Sequence, residues 1–227
     1  MERTIASIIA FSFLIFFGCQ TKQVVKEQEN KIQYVDPFIG TGFHGHTFPG
    51  ATRPFAMVQL SPDTHIMGWD ASSGYHYDDR QIYAFSHTHL SGTGIGDLGD
   101  VALLPFSGGD SIKPVATFTK ETEQASQGLY KVRLDNFGID VALTSTDRVG
   151  FHKYTYSNTS DRRVMLDLGH ILQPNWGHKL VSNDVEVVSN EEIRGTFRTQ
   201  GWAHFHSVSY RRLFSEPAAS TRTLTAG

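Results

Sequence analysis

The sequence predicts an all-β protein folded as an antiparallel β-sandwich. Sixteen Phe and eight Tyr among 227 residues favour strands. No sustained apolar repeat at helical spacing occurs after residue 20. Short apolar runs alternate instead with Gly, Pro and Asp, at the strand-plus-turn spacing of a sandwich. With 39% hydrophobic residues, a chain of this length can bury one sizeable core, so one main domain is expected.

The charge balance argues against one large class of partners. The formal net charge is −3, which provides no basic surface for a nucleic-acid backbone. We therefore expect no nucleic acid among the partners.

The first 19 residues are typical of an export signal. A short head containing Arg3 precedes an apolar run over 8–17, too short to span a bilayer comfortably. The chain's single cysteine, Cys19, follows Gly18 and cannot form an internal disulfide. The pattern is typical of a bacterial lipoprotein, with Cys19 lipidated. The alternatives are an ordinary signal peptide cleaved nearby or an inert buried thiol.

These features predict where the protein resides. Residues 20–32 are mostly polar and contain no aromatic residue, as in a flexible tether. We expect export to the periplasm or to the outer-membrane surface, with a lipid anchor in the membrane through Cys19.

From residue 34 the predicted strands follow in order. Prolines at 37, 49, 54 and 62 forbid a continuous helix through this part of the chain. Alternation from Tyr130 to Leu134 and from Ile139 to Leu143, around the turn DNFG at 135–138, predicts a β-hairpin. The other strand candidates are 56–60, 82–85, 101–106, 149–156, 163–168, 184–188, 192–198 and 203–210.

Residues 34–106 carry the most unusual chemistry. This stretch contains six of the eleven histidines, seven aspartates and the first tryptophan, Trp69. Glycine lets backbone approach a ligand closely, while His, Asp and Trp supply directional hydrogen bonds and flat apolar faces. The alternative is a set of glycine-rich turns in an all-β domain.

Read as ordered motifs, the same stretch resembles a known family. The motifs are 36–42 (DPFIGTG), 44–51 (HGHTFPGA), 59–64 (QLSPDT), 73–77 (SGYHY), 85–94 (FSHTHLSGTG) and 96–100 (GDLGD), followed by 200–203 (QGWA) and 214–217 (FSEP). Together they resemble the N-terminal domain of the glycoside hydrolase family 92 α-mannosidases. The resemblance covers the sandwich domain at 33–217, and 218–227 form a tail without a family motif.

The resemblance implies a two-domain enzyme of which this chain holds one part. Family members pair an N-terminal β-sandwich with a C-terminal (α/α)6 barrel, and no segment here matches that barrel. The resemblance places the general acid, the base and most calcium ligands in the barrel, so no catalytic residue is assigned here. We expect the N-terminal domain of an exo-acting, inverting, calcium-dependent α-mannosidase, truncated before its barrel. It would form one wall of the substrate cleft, be inactive alone and bind calcium weakly at best.

For substrate contact the resemblance favours four residues. In the loop 67–70 (MGWD), the Trp69 indole would stack on a sugar and Asp70 would accept from hydroxyls of mannose-containing glycans. His87 and His89 are expected to hydrogen-bond loop carbonyls or sugar hydroxyls. Ala71 and Ser72 depart from the family pattern, which leaves the subsite preference open, and a core position is the alternative for Trp69.

Three His-x-His pairs, at 44/46, 87/89 and 204/206, offer a plausible metal geometry if locally extended. No second cysteine accompanies them, and calcium prefers oxygen ligands over imidazole. Hydrogen bonding is therefore the favoured interpretation of these histidines.

Two other functions remain open at this stage. The chain could be a stand-alone carbohydrate-binding or surface-adhesion lipoprotein, or a structural fragment without activity. An exposed aromatic platform would favour the binding module, and an exposed apolar face sized for a missing domain would favour the fragment.

Overall fold

The computed structural model of the chain describes residues 30–109 and 112–224. The predicted signal segment with Cys19, and the tether as far as residue 29, lie outside these residues. The chain divides into two units, residues 1–33 and 34–227, and the fold below belongs to the second. Within the described residues, no helix has the length and apolar character needed to cross a membrane.

The described residues form fourteen strands and four short 3-10 helices, with no α-helix. The strands are β1 (Ala51–Thr52), β2 (Gln59–Asp63), β3 (Gln81–Ile82), β4 (Ala84–Ser86), β5 (Ala102–Phe106), β6 (Ala116–Thr117), β7 (Gln124–Ser126), β8 (Leu129–Leu134), β9 (Ile139–Ser145), β10 (Gly150–Tyr156), β11 (Arg163–Asp167), β12 (Lys179–Val187), β13 (Glu192–Gln200) and β14 (His206–Leu213). The 3-10 helices are Lys31–Tyr34, Trp69–Ala71, Lys120–Thr122 and Pro174–Trp176.

The strands pair antiparallel in four sheets. A five-stranded sheet has the order β1-β2-β4-β5-β11, and a four-stranded sheet has the order β10-β9-β8-β7. Strands β12, β13 and β14 form a meander, and β3 pairs with β6. The predicted all-β, antiparallel sandwich is confirmed.

The main core lies between the five-stranded and four-stranded sheets. Alternation in β8 and β9 turns Tyr130, Val132 and Leu134 inward with Ile139, Val141 and Leu143. They meet residues of the facing sheet, among them Leu60, Phe85 and Leu104. The hairpin predicted at 130–143 is confirmed, with Leu134 opposite Ile139.

A second, smaller core lies under the β12–β14 meander. Strand β11 connects the two cores because its successive side chains point to opposite faces. Met165 packs against the main core, whereas Leu166 packs with the second core around Phe197 and Val208. This arrangement brings the loops at one end of the meander close to the glycine-rich loops of 34–106.

Several predicted strands have different ends. The candidate at 56–60 begins later, as β2, and 82–85 is divided between β3 and β4. The candidate at 184–188 is the end of a longer strand, β12, whose extra residues pair with β13. Tertiary pairing, rather than local alternation, extends β12 and β13 beyond their predicted ends.

Candidate functional site

Trp69 is held on a sharply turned loop and is half exposed. It begins the 3-10 helix Trp69–Ala71, and 50% of its surface is accessible. Gly68, which precedes Trp69, has φ 102° and ψ 147°. Residues other than glycine rarely adopt this backbone conformation. The loop therefore needs glycine at 68 to present the indole, and the structure does not bury Trp69 in the core.

Gln173 fixes this loop from a distant part of the chain. Its Nε2 donates to the Gly68 carbonyl, and its Oε1 accepts from the Gly68 N–H, both at 2.8 Å. The Gln173 N–H also donates to the Ile66 carbonyl at 2.7 Å. Because Gln173 is fully buried, these bonds make a rigid support for Trp69.

Aromatic rings surround the indole on its protein side. The His46 ring meets it edge-on at 4.4 Å between centroids, and the His44 ring lies at 5.0 Å. Phe43, 77% exposed, stacks on His44 at 3.9 Å. His46 is buried, and its Nε2 has no hydrogen-bond partner among the described residues. A polar atom without a partner therefore lies beside the exposed indole.

Asp70 lies next to Trp69 and contacts the His44 ring. The contact joins His44 Nδ1 to an oxygen of Asp70, and about half of each side chain is exposed. The site thus combines an indole face, a carboxylate and an imidazole, which suit the apolar and hydroxyl-bearing faces of a polar ligand.

His87 lies apart from Trp69 and is bonded within the protein. Its Nδ1 donates to the Val101 carbonyl at 2.6 Å, and its Nε2 lies 3.1 Å from Nε2 of His152. The Tyr154 hydroxyl donates to His152 Nδ1 at 2.7 Å, and the Arg212 guanidinium interacts electrostatically with Tyr154. This row of groups links the four-stranded sheet to the meander.

The row keeps both imidazoles neutral. Burial, aided by the nearby Arg212 cation, lowers the pKa of His87 to about 4. Burial, the neighbouring His87 and Arg212 also hold the pKa of His152 well below its usual value. The neutral state allows one N–H to be shared between the two facing nitrogens.

His89 is also enclosed. Its Nδ1 donates to the Gln59 carbonyl at 2.7 Å, and its Nε2 lies 2.8 Å from Asp63 Oδ1. His170 Nε2 contacts the other oxygen of Asp63 at 2.8 Å. The two rings of this predicted pair, His87 and His89, thus have separate partners and do not converge on one point.

Asp63 is the anion of this buried cluster. Burial alone would raise its pKa, but the charge of His89 and hydrogen bonds from His170 and His89 outweigh burial and lower the pKa to about 2. Burial opposes charging of His170, yet the hydrogen bond and charge of Asp63 raise its pKa. The cluster connects β2, the loop after β4 and the loop after β11, and so stabilises the base of the site.

The remaining buried carboxylates are also engaged. Glu123 accepts from Tyr75, Tyr130 and Lys120 at 2.6–3.0 Å. Asp100 Oδ2 accepts from Thr88 at 2.7 Å and contacts His206 at 2.8 Å. Both oxygens of Glu123 and Oδ2 of Asp100 are thus bonded within the protein, whereas the buried Asp100 Oδ1 has no hydrogen-bond partner among the described residues.

The described residues do not match a calcium site. They contain no group of three or more His, Cys, Asp or Glu placed to hold a metal ion. Asp63 and Asp100 also contact imidazole rings, whereas calcium prefers to be surrounded by oxygen ligands. No step below is therefore assigned to a metal ion.

The sequence patterns pointed to Trp69 and Asp70 as site candidates, which the structure shows to be half exposed, but gave no indication of the residues that hold their loop. Gln173 lies 105 residues from Gly68 in the chain, and a lone glutamine carries no local signal. His44 was part of a noted His-x-His pair, yet its pairing with Asp70 depends on how two loops meet. The sequence patterns therefore located the exposed residues of the site better than the residues that position them.

The family comparison agrees with this fold. The model for the glycosyl hydrolase family 92 N-terminal domain matches residues 34–227. A protein of Arthroderma benhamiae, described as an uncharacterized secreted glycosidase, is 26% identical over 209 residues. That match covers 85% of this chain and 26% of the relative.

Solved structures show the same correspondence. A family 92 α-mannosidase from Bacteroides thetaiotaomicron, solved in complex with mannoimidazole, is 33% identical with a TM-score of 0.79, covering 83% of this chain and 26% of that one. A second family 92 glycosyl hydrolase structure is 25% identical with a TM-score of 0.68, covering 79% and 26% of the two chains. The chain thus spans about a quarter of the length of the relatives it matches.

Proposed function

This chain belongs to glycosyl hydrolase family 92, as its N-terminal domain, and we propose that it forms one wall of the sugar cleft of an exo-acting, inverting, calcium-dependent α-mannosidase. Its 33% identity to an α-mannosidase solved with a mannose-like ligand supports a mannose-containing glycan as substrate. Calcium and the catalytic acid and base come from a second, (α/α)6 domain in the part of such enzymes beyond the matched quarter.

The half-exposed Trp69, on a loop fixed by a buried glutamine, carries this proposal. A rigid indole face stacks on the C–H face of a pyranose at little entropic cost. The Asp70 carboxylate and His44 imidazole beside it accept and donate hydrogen bonds to hydroxyls. His87 and His89 support the loops of this wall from inside the protein.

The same geometry favours a binding role over catalysis by this chain alone. Inverting glycosidases need two carboxyls about 6.5–9.5 Å apart, one of them in a setting that keeps it protonated. Asp70 is half exposed and paired with His44, and the buried carboxylates are engaged with protein partners. Removing the members of such a catalytic unit costs several orders of magnitude in rate.

The purified chain should therefore not hydrolyse an aryl α-mannoside, with or without added calcium. The measurement is release of the aryl group over a range of protein concentrations. Turnover proportional to protein and abolished by Asp70→Asn would show that the catalytic residues lie in this chain.

A stand-alone carbohydrate-binding or surface lipoprotein module is the second candidate. It is favoured by the exposed aromatic side chains, since Trp69, Trp176 and Trp202 are 50%, 45% and 65% accessible. Two results together would favour the module over the cleft wall. The chain would bind sugar, and a strain lacking the chain would still grow normally on mannosides.

A further inference from the structure

All three tryptophans of the chain are exposed at loops rather than placed in a core. Trp176 is 45% accessible and Trp202 is 65% accessible, compared with 50% for Trp69. Tryptophan is highly buried on average in folded proteins, so exposure of every copy needs an explanation. Trp176 and Trp202 belong to neither of the two cores described above.

Trp176 has a rigid support. It ends the 3-10 helix Pro174–Trp176, which lies between two buried side chains. Gln173, before the helix, is the residue that holds Gly68 beside Trp69. After it, His178 is 3% accessible, and its Nδ1 donates to the Leu172 carbonyl at 2.5 Å. Both ends of the Trp176 segment are thus fixed.

Trp202 is fixed in a similar way, in the loop between β13 and β14. The Gly201 N–H donates to the Ala203 carbonyl at 3.0 Å, and the Ala203 N–H donates to Asp97 Oδ2 at 2.9 Å. A Cβ at position 201 would lie 2.8 Å from Asp97 Oδ1, so only glycine fits this close approach. Asp97 is buried, and it anchors the loop that carries Trp202.

One close contact between buried side chains joins the two loops. His178 Nε2 lies 3.1 Å from Asp97 Oδ1, and both side chains are almost fully enclosed. Lys179, which opens β12, is opposite Gln200, which closes β13, so both loops leave the same end of the meander. Standard chain dimensions then place the Trp176 and Trp202 Cα atoms within roughly 25 Å of each other.

The support of Trp176 also continues to Trp69. Gln173 contacts the Trp69 loop on one side and precedes the Trp176 helix on the other. Small and polar residues flank the indoles, namely Asn175, Gly177, Gly201 and Ala203. A protein-docking face is expected to be a continuous apolar patch. Separate flat rings with polar neighbours are instead suited to a hydroxylated ligand.

We propose that Trp176 and Trp202 form a second carbohydrate contact beside Trp69, so that this surface binds an oligosaccharide of several mannose units rather than one sugar. The inference rests on the proposed function for the identity of the sugar. Trp69 takes the terminal mannose, and Trp176 and Trp202 take units further along the glycan. The support through Gln173, His178 and Asp97 keeps the three rings in one arrangement.

The test measures the binding of two ligands, methyl α-mannoside and an α-linked mannotriose, to the purified chain. Calorimetry and tryptophan fluorescence are the two measurements. Each of the two additional stacked rings is expected to strengthen binding by up to about 10-fold, so the trisaccharide should bind at least about 10-fold more tightly than the monosaccharide. Trp176→Ala and Trp202→Ala should each remove much of that gain and leave the monosaccharide affinity unchanged. Phe151→Ala removes another exposed aromatic ring, 53% accessible on β10, and should change neither affinity.

Other outcomes are equally informative, provided that circular dichroism shows each variant folded. Unchanged trisaccharide affinity in both tryptophan variants, or no trisaccharide binding by the wild-type chain, would overturn the inference. Self-association that Trp202→Ala weakens, with no response to sugar, would assign the surface to protein docking and also overturn it. A third outcome concerns Trp69. If the Trp176 and Trp202 variants lose the tighter trisaccharide binding, but Trp69→Ala leaves the monosaccharide affinity unchanged, the inference stands and the assignment of Trp69 to the terminal mannose is wrong.

Discussion

Individual residues of this domain divide into exposed groups that are accessible to a ligand and enclosed groups that hold loops. Trp69 and Asp70 belong to the first kind, since each exposes about half of its side chain. His87 and His89 belong to the second, because both ring nitrogens of each contact protein atoms. His87 and His89 therefore contribute mainly to rigidity.

Only part of this division could be predicted at the residue scale. A Gly-Trp-Asp loop signals exposure locally, because glycine permits the turn that presents the ring. The main partners of His87 and His89 carry no local signal, since His152 lies 65 residues from His87 and Asp63 lies 26 residues from His89. Those contacts exist only after the sheets have packed.

The neutral pair His87 and His152 predicts a dependence of stability on pH. The ordinary pKa of histidine is 6.5, and that of folded His87 is about 4. Between these values the unfolded chain binds more protons, so the free energy of unfolding decreases as pH falls through this window. A shift of this size corresponds to about 3 kcal/mol for His87.

A substitution isolates this effect. His152→Gln removes one imidazole whose pKa burial lowers, so the loss of stability between pH 7 and pH 4.5 should shrink by about 1–3 kcal/mol. Urea unfolding at both pH values measures it. His65→Gln changes a half-exposed histidine and serves as the control. An identical pH dependence in wild type and His152→Gln would contradict the account.

At the scale of elements, alternation and turn chemistry predicted the strands that are paired locally. Strands β8 and β9 follow the predicted pattern because the DNFG turn sets their register. The short strands β1, β6 and β7 were not predicted, since two or three residues carry no period. Their positions depend on neighbours distant in the sequence, such as Leu60 opposite Ala51.

The Trp69 loop depends on an element that the sequence did not reveal as part of the site. Gln173→Ala removes two hydrogen bonds to Gly68, each contributing about 0.5–1.5 kcal/mol. Because Gly68 is exposed, water replaces part of the loss. We expect a stability loss of about 1–3 kcal/mol and at least a several-fold loss of mannoside affinity.

Calorimetric titration and urea unfolding of the same samples test this support. Gln124→Ala, at an exposed position of β7, is the matched control and should alter neither quantity. A Gln173→Ala variant with full affinity would show that the loop keeps its shape without the glutamine.

At the scale of the molecule, composition and strand spacing predicted the sandwich, because two apolar sheet faces must cover each other. The meander β12–β14 and its separate core were not foreseen as a distinct layer. Its formation depends on β11 contributing to both cores, through Met165 and Leu166. The sequence shows these residues only as consecutive apolar positions.

Location is a second property of the whole molecule. The description of the Arthroderma benhamiae relative as secreted supports export, and the Gly18-Cys19 pair supports a lipid anchor. Cells given a labelled fatty acid should label the wild-type chain and leave Cys19→Ala unlabelled. Equal labelling of the two proteins would contradict lipidation at Cys19.

A fused enzyme would test the proposal that Trp69 lines the sugar cleft of a mannosidase. In this fusion, the chain replaces the matched quarter of the Bacteroides thetaiotaomicron α-mannosidase. We would measure kcat/KM and the free energy of unfolding for the Trp69→Ala variant. The control is Phe55→Ala, which removes a fully exposed aromatic ring. The account predicts a loss in kcat/KM of about 10-fold or more and a stability change within about 1 kcal/mol for Trp69→Ala, with no change for Phe55→Ala. A loss of about 3–5 kcal/mol in stability, typical of truncating a buried tryptophan, with activity per folded molecule unchanged, would contradict it.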